Sequence, residues 1–302
     1  VTKVNRPLRR LIRSRRVRQS ALATGVAQDT AASYIAGPDL DGASTVVERL
    51  RRQGLDVSLA YLPETDEETE SVAELHRALE RFGDGARGIE FSVKPSSLGL
   101  REDPTAATEA LRELATAAHG RGAFLTLEMQ GAEAYDATLS MWRDVREDVP
   151  TLGITLPAEI RRSEREALTL AREGSRIRIC VGSYPVPRDQ IHRREQDKLL
   201  AFVRCLRIVM DNGGYAMVAS HDATIIAITQ ELAGRSNLPA DGFEFQMLQG
   251  VRPLEQRRLV DIGYRCRTYL PYGPAWFEYL TTRIAARPRT AFNYLRALAD
   301  KR

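Results

Sequence analysis

Apolar and polar positions along the chain follow two alternating rhythms. Short β-rich runs recur at Asp56–Tyr61, Gly88–Lys94, Ala123–Glu128, Leu152–Leu156, Arg176–Val181, Tyr215–Ala219, Gly242–Leu248 and Arg265–Leu270. Between them lie stretches such as Thr69–Arg81, Pro104–His119, Glu133–Arg146 and Glu164–Glu173, whose apolar residues stand three and four apart. That spacing predicts helices that lay one face on a sheet. Eight β runs alternating with helices predict parallel βαβ units. The count and the chain length favour an α/β fold closed into a distorted (β/α)8 barrel of the TIM type over an open sheet. Gly54, Gly88 and Gly122 stand just before strands, where a glycine ends the preceding helix.

Composition narrows the class. With 43 % hydrophobic and 28 % charged residues, the chain is neither disordered nor fibrous. No apolar run approaches the ~20 residues that cross a bilayer, and the basic start has no apolar core after it, so it does not read as a secretory signal. Cys180, Cys205 and Cys266 are widely spaced and odd in number, which suggests a reducing compartment without a disulfide framework.

The net charge of +4 is not spread evenly. Eight basic residues and no acid fall within Val1–Ser20, so the remainder is mildly acidic. The expected organisation is a basic arm and lead-in over residues 1–40 and one catalytic barrel over 41–302. A solvated arm is the plainer reading of such a run. With no aromatics interleaved in it, nucleic-acid binding is not expected. Weak contact with an anionic membrane surface stays open. The protein is expected to be cytoplasmic, soluble or loosely peripheral.

In barrel enzymes the chemistry sits where strands end at their C-terminal side. Those ends here carry Lys94, Glu128, Ser220-His221-Asp222, Gln246 and Tyr269, polar groups at matching positions. The bland alternative is that each merely caps a strand or faces water. No GxGxxG fingerprint, P-loop, HExxH or GxSxG pattern is read, and the four histidines do not cluster, so a metal site is not expected. The cations Lys94, Arg178 and Arg283, with a carboxylate, aromatics and few nucleophiles, suit binding of an anionic small molecule and a large cofactor. They suit covalent catalysis poorly.

Several segments carry a more specific pattern. They include Glu244-Phe-Gln-Met-Leu-Gln-Gly-Val-Arg252, Arg267-Thr-Tyr-Leu-Pro-Tyr-Gly273, Trp276, Tyr279, Arg283 and Asn293. Upstream stand Phe91-Ser-Val-Lys-Pro-Ser-Ser-Leu-Gly99, Arg178-Ile-Cys-Val-Gly-Ser-Tyr184 and Ala219-Ser-His-Asp222. In this order, across about Asp41 to Asn293, they resemble the motifs of the proline dehydrogenase family. The resemblance implies a distorted (β/α)8 barrel with FAD across its C-terminal mouth. It implies hydride transfer from the substrate carbon beside nitrogen to the flavin, a cyclic imine product, and electrons passed on to an acceptor such as a quinone or oxygen. By residue matching it implies that Arg178 sits against the isoalloxazine. Val181, Gly182, Ser220, His221 and Asp222 would line the cofactor, with Glu244 and Gln246 supporting it. Lys94 and Arg283 would grip the carboxylate of a small amine substrate, Tyr269 would pack on its body, and Glu128 would complete the catalytic set.

The chain also departs from that family's pattern. Thr282 replaces the first of two adjacent arginines, and Ala286 replaces a glutamate. Glu128-Met-Gln130 stands for an Asp-x-Glu pair, Pro157 for a glutamine and Val181 for a lysine. Cations and carboxylates are lost together, which points to a remodelled pocket. The expected activity is oxidation of the C–N bond of proline or a related amino acid. The alternatives are a divergent homologue acting on a hydrazino or N-substituted amino acid, or a non-catalytic barrel without flavin chemistry.

Overall fold

The computed structural model describes residues 33–64, 68–182, 184 and 186–286, with backbone only at 68, 69 and 282–286. The basic arm, Asn293 and Ser183 lie outside the described residues. Helices and strands alternate as the hydrophobic pattern predicts. Helix α1 (Leu40–Arg52) precedes β1 (Asp56–Tyr61), α2 (Glu68–Phe82) precedes β2 (Glu90–Val93), and α3 (Pro104–Gly120) precedes β3 (Phe124–Leu127). Then come α4 (Ala132–Asp148), β4 (Gly153–Pro157), α5 (Ser163–Arg172), β5 (Arg176–Cys180), α6 (Glu195–Asp211) and β6 (Tyr215–Ala219). The series ends with α7 (Ala223–Arg235), β7 (Phe243–Leu248), α8 (Pro253–Asp261), β8 (Cys266–Tyr272) and α9 (Trp276–Ala286).

All eight strands are parallel and form a closed barrel in sequence order. Closure is made by β1 on β8, where Asp56 faces Arg267 and the register runs to Tyr61 beside Tyr272. Alternate residues along each strand point to opposite faces. One set, including Leu59, Phe91, Leu125, Ile154, Ile177, Val218 and Phe245, is almost fully buried. These outward faces pack on the helices, and burying each such side chain contributes about 1.5–3 kcal/mol. Trp142 of α4 shows how the helices seat: it is wholly buried, and its indole N–H donates to Leu152 O at 3.2 Å.

The other set points into the barrel and is largely polar. Ser58, Glu90, Ser92, Thr126, Arg178, Glu244, Gln246 and Arg267 are all buried. Barrel interiors of this fold are ordinarily filled by Val, Ile and Leu. Here a hydrogen-bonded ionic network replaces them.

Two of the three glycines before strands end an α-helix, and the third does not. Gly54 and Gly122 take φ +76° and +68° after α1 and α3, as expected. Gly88 (φ +78°) instead follows a 3-10 turn, Gly83–Ala86. The run Gly83-Asp-Gly-Ala-Arg-Gly88 does have the GxGxxG spacing. It leads from α2 into β2, however, whereas a dinucleotide fingerprint leads from a strand into a helix.

Candidate active site

The barrel interior is built in tiers from its floor to its mouth. On the floor, Arg267 donates from Nε and Nη2 to the two oxygens of Glu244, at 2.7 and 3.0 Å. Its Nη1 donates to the backbone oxygens of Val57 and Gly88, at 3.0 and 2.8 Å. Neither side chain is exposed. Burial pushes the Glu244 carboxyl up, but the adjacent Arg267 guanidinium outweighs it and holds the group far below the usual range. Arg176 lies over the rings of Phe124 and Tyr215, at 4.1 and 4.5 Å to their centroids. Its Nη2 is also 3.9 Å from Glu244 and 4.0 Å from Glu90.

Arg178 occupies the middle tier and ties four strands together. Its Nε donates to Gln246 Oε1 at 2.7 Å and its Nη1 to Ser92 Oγ at 2.7 Å. Its Nη2 donates to Ser58 Oγ at 3.3 Å and to Glu90 Oε1. Glu90 also accepts from Thr126 Oγ1 at 2.7 Å. Burial raises the Glu90 carboxyl; Arg178, Arg267 and Arg176 outweigh that and lower it.

The mouth gathers three of the expected catalytic residues. Glu128, one residue beyond β3, accepts from Tyr269 Oη at 2.7 Å and from Ser92 Oγ at 2.9 Å. Burial acts against its charged form. The Lys94 ammonium, the Arg178 guanidinium and the two hydrogen bonds prevail, so its pKa lies below the ordinary value. The Arg178 guanidinium lies 5.7 Å from the Tyr269 ring centroid. Arg283 falls within α9, but its side chain, with those of Thr282 and Ala286, lies outside the described residues.

The residues expected around a cofactor divide. Gly182 has φ +97°, and a Cβ there would meet Glu159 Oε1 and Pro157 Cβ, each at 2.9 Å. No L side chain fits that backbone. Val181 stands beside it, half-buried. Ser220 is buried, and its Oγ accepts from Asp222 N at 3.2 Å. His221 Nε2 accepts from Leu248 N at 2.9 Å, so the neutral ring carries its proton on Nδ1. Asp222 is exposed and caps α7, accepting from Thr224 N and Ile225 N at 2.8 and 3.1 Å. Glu244 is not at the mouth. As the second residue of β7 it sits on the floor, engaged by Arg267, and reaches the mouth only through Gln246 and Arg178.

Some contributors were not singled out from sequence. Ser92 links Arg178 to Glu128, and Glu90 is the buried counter-ion of Arg178. Glu159, buried after β4, accepts from Tyr184 N at 2.9 Å and lies 3.5 Å from Lys198 Nζ of α6, which pins the loop after β5. The pairing of Ser92 and Lys94 on one face of β2 follows from the two-residue strand period and is readable in the sequence. Glu159 has no such local signal.

One half of the mouth carries small strand-end residues, with the Tyr184 side chain hydrogen-bonded to Cys180. Pro157, Cys180 and Ala219 are register neighbours on β4, β5 and β6, on the same face as Arg178. The opposite half holds Lys94, Glu128 and Tyr269. The arrangement sets small side chains beside a polar group that includes the cations Lys94 and Arg178. Among the described residues no group of three or more His, Cys, Asp or Glu is placed to hold a metal ion. No described helix is long and apolar enough to cross a membrane.

Comparisons with known proteins agree with this geometry. The family model described as Proline dehydrogenase matches residues 43–285. Proline dehydrogenase 1 of Bacillus subtilis is 32 % identical over 272 residues, covering 89 % of this chain and 90 % of the relative. Proline dehydrogenase of Deinococcus radiodurans is 30 % identical over 267 residues, covering 85 % and 86 %. Among solved structures, proline utilization A from Bdellovibrio bacteriovorus, inactivated by N-propargylglycine, superposes with a TM-score of 0.78 at 19 % identity. That match covers 86 % of this chain but only 33 % of the other, and it speaks for the fold alone. With the family model matched over most of its length and full-length relatives near 30 % identity, this chain belongs to the proline dehydrogenase family of oxidoreductases acting on CH–NH bonds.

Proposed function

We propose that this protein is an FAD-dependent dehydrogenase that oxidises the C–N bond of proline or a closely related small amino acid. The observation that carries the reading is the convergence of Lys94, Glu128 and Tyr269 at the C-terminal mouth of one barrel, directly above Arg178. The donor set fits a flavin. The small side chains of Pro157, Cys180 and Ala219 suit the close approach of a flat ring system, and the cations Lys94 and Arg178 suit a ring that becomes anionic on reduction. Bound flavin would supply the two-electron acceptor.

The protein's own part is positioning. Lys94 attracts a substrate carboxylate as a point charge, and Arg283 of α9 is the expected second grip. Glu128 stays a carboxylate at neutral pH and fixes the Tyr269 hydroxyl, so the phenol ring holds one orientation against the substrate body. Arg178, anchored by Gln246 and Glu90, keeps its charge at the base of the mouth. The substrate would surrender a hydride from the carbon beside nitrogen to bound flavin and the nitrogen's proton to water, which leaves a C=N bond; a quinone or oxygen would take the electrons onward.

A second reading keeps the scaffold and changes the substrate. Gln130, where the family pattern has a carboxylate, accepts from Ser96 N at 3.0 Å and donates from Nε2 to Ser96 Oγ at 2.7 Å. It clamps the turn after Lys94 and puts no charge into the mouth. A carboxylate-bearing amine other than proline, such as a hydrazino or N-substituted amino acid, suits that altered balance. The test is the absorbance spectrum of the FAD-loaded protein during anaerobic addition of proline, then of such acids. Bleaching by proline supports the first reading, and bleaching only by another amine supports the second. A protein that takes up no flavin overturns both and leaves a non-catalytic barrel.

A further inference from the structure

The bonding of Gln246 is unusual for a core amide. Its Oε1 accepts from Arg178 Nε at 2.7 Å, while its Nε2 donates to Glu244 Oε1 at 2.6 Å and to Glu90 Oε1 at 3.4 Å. The amide therefore stands between a guanidinium and two carboxylates with each end matched to its neighbour. Turning it over would set donor against donor at Arg178 and acceptor against acceptor at Glu244. Only a side chain with one donor end and one acceptor end fits this place. A glutamate would oppose Glu244, and a methionine would leave Arg178 Nε without an acceptor.

The position matters because Gln246 joins two tiers. Below it, Glu244 is locked by two bonds from Arg267, which is itself held by Val57 O and Gly88 O. Above it, Arg178 bonds Ser92, the same hydroxyl that donates to Glu128. Glu90 holds the other end of the Arg178 guanidinium through Nη2. Nε and Nη2 lie on the same edge of the guanidinium fork, so Gln246 and Glu90 together fix its plane and not merely its charge.

We infer that Gln246, with Glu90 beside it, is a positioning residue that sets the orientation of the Arg178 guanidinium at the candidate site. Its functional consequence rests on the flavin-dehydrogenase reading, but the geometry can be tested without flavin. Removing a supporting partner of this kind lowers turnover while the primary contacts persist.

The experiment has two arms. In flavin-free protein, nitrogen-edited NMR reads the Arg178 Nε–H resonance, assigned by its absence in Arg178→Lys. It is expected to be protected from solvent exchange in the wild type and to lose that protection in Gln246→Met. In FAD-loaded protein, Gln246→Met is expected to lower kcat about tenfold with KM within about threefold. Gln246→Glu, nearly isosteric, puts a second carboxyl against Glu244; the pair should share a proton and add an ionisation to the kcat–pH profile. Retained protection in Gln246→Met overturns the inference. So does an unchanged kcat and pH profile in both variants. Failure of both variants to fold also overturns it, because Gln246 would then be structural only. If wild-type protein binds no flavin or is bleached by no amine, the proposed function fails while the resonance still decides the geometry.

Discussion

Ser92 has a single hydroxyl that serves two charges. It accepts from Arg178 Nη1 at 2.7 Å and donates to Glu128 at 2.9 Å. Replacing it by alanine strips one partner from each of two buried ions. Ser92→Ala should cost about 1–3 kcal/mol in urea unfolding, the range for leaving a buried polar group unsatisfied. It should also raise KM for the carboxylate substrate, because Glu128 and Tyr269 lose their link to Arg178. Asp222 calls for the opposite experiment. Its carboxylate is spent on capping α7, so Asp222→Ala should cost about 0.5–2 kcal/mol and leave the affinity for FAD unchanged. A drop in flavin affinity at full stability would assign Asp222 to the cofactor instead.

At the scale of elements, the loop after β5 is held by its neighbours more than by its own sequence. Glu159 fastens Tyr184 and faces Lys198, while Arg161 N bonds Gln190 O at 2.9 Å and Ile160 bridges Ile191. Glu159→Ala should speed limited proteolysis within residues 183–194 without altering cleavage elsewhere. This loop also marks the limit of what could be read beforehand. The strands were legible because runs such as Arg176–Val181 and Phe243–Leu248 carry β-branched and aromatic residues at strand length. Lys94, Glu128 and Tyr269 were legible because a strand end in a barrel is a place with a function. Glu90 and the floor role of Glu244 were not. Their partners lie on other strands, Arg178 being 88 residues from Glu90 and 68 from Gln246. Local spacing carries no trace of such pairings. Capping by Asp222 could have been foreseen, since an aspartate immediately before the apolar run of α7 is a helix-start signal.

For the whole molecule, the polar interior makes stability depend on pH. Glu90, Glu128 and Glu244 are all held below the ordinary carboxylate value of 4.5 by neighbouring cations that outweigh their burial. A depressed folded-state pKa contributes stability above the unfolded value, and that contribution is lost as pH falls through the folded value. Urea unfolding should therefore show a steep fall in free energy below about pH 4.5, after a smaller loss that begins near pH 6.5 where burial and Arg161 hold His192 below its ordinary value. Glu74 works in the other direction: burial raises its pKa, so its contribution is lost as pH rises. It is a single group against three. Arg267→Met should be severe, about 3–5 kcal/mol, because it strands Glu244 in the core. Adding Glu244→Gln to that variant should recover part of the loss in the same assay.

Closure of the barrel by β1 against β8 also orders events in time. During synthesis the ribosome delivers Glu244 before Arg267, and β1 waits for its partner until Tyr272 has emerged. Until then the nascent sheet has two open edges and an interior acid that lacks its two-bond partner, a state prone to mispairing and poor in long-range reward. The last strand thus acts as the latch of the molecule. A released chain that ends at Arg265 should be protease-sensitive, and one extended by the seven residues of β8 should become resistant.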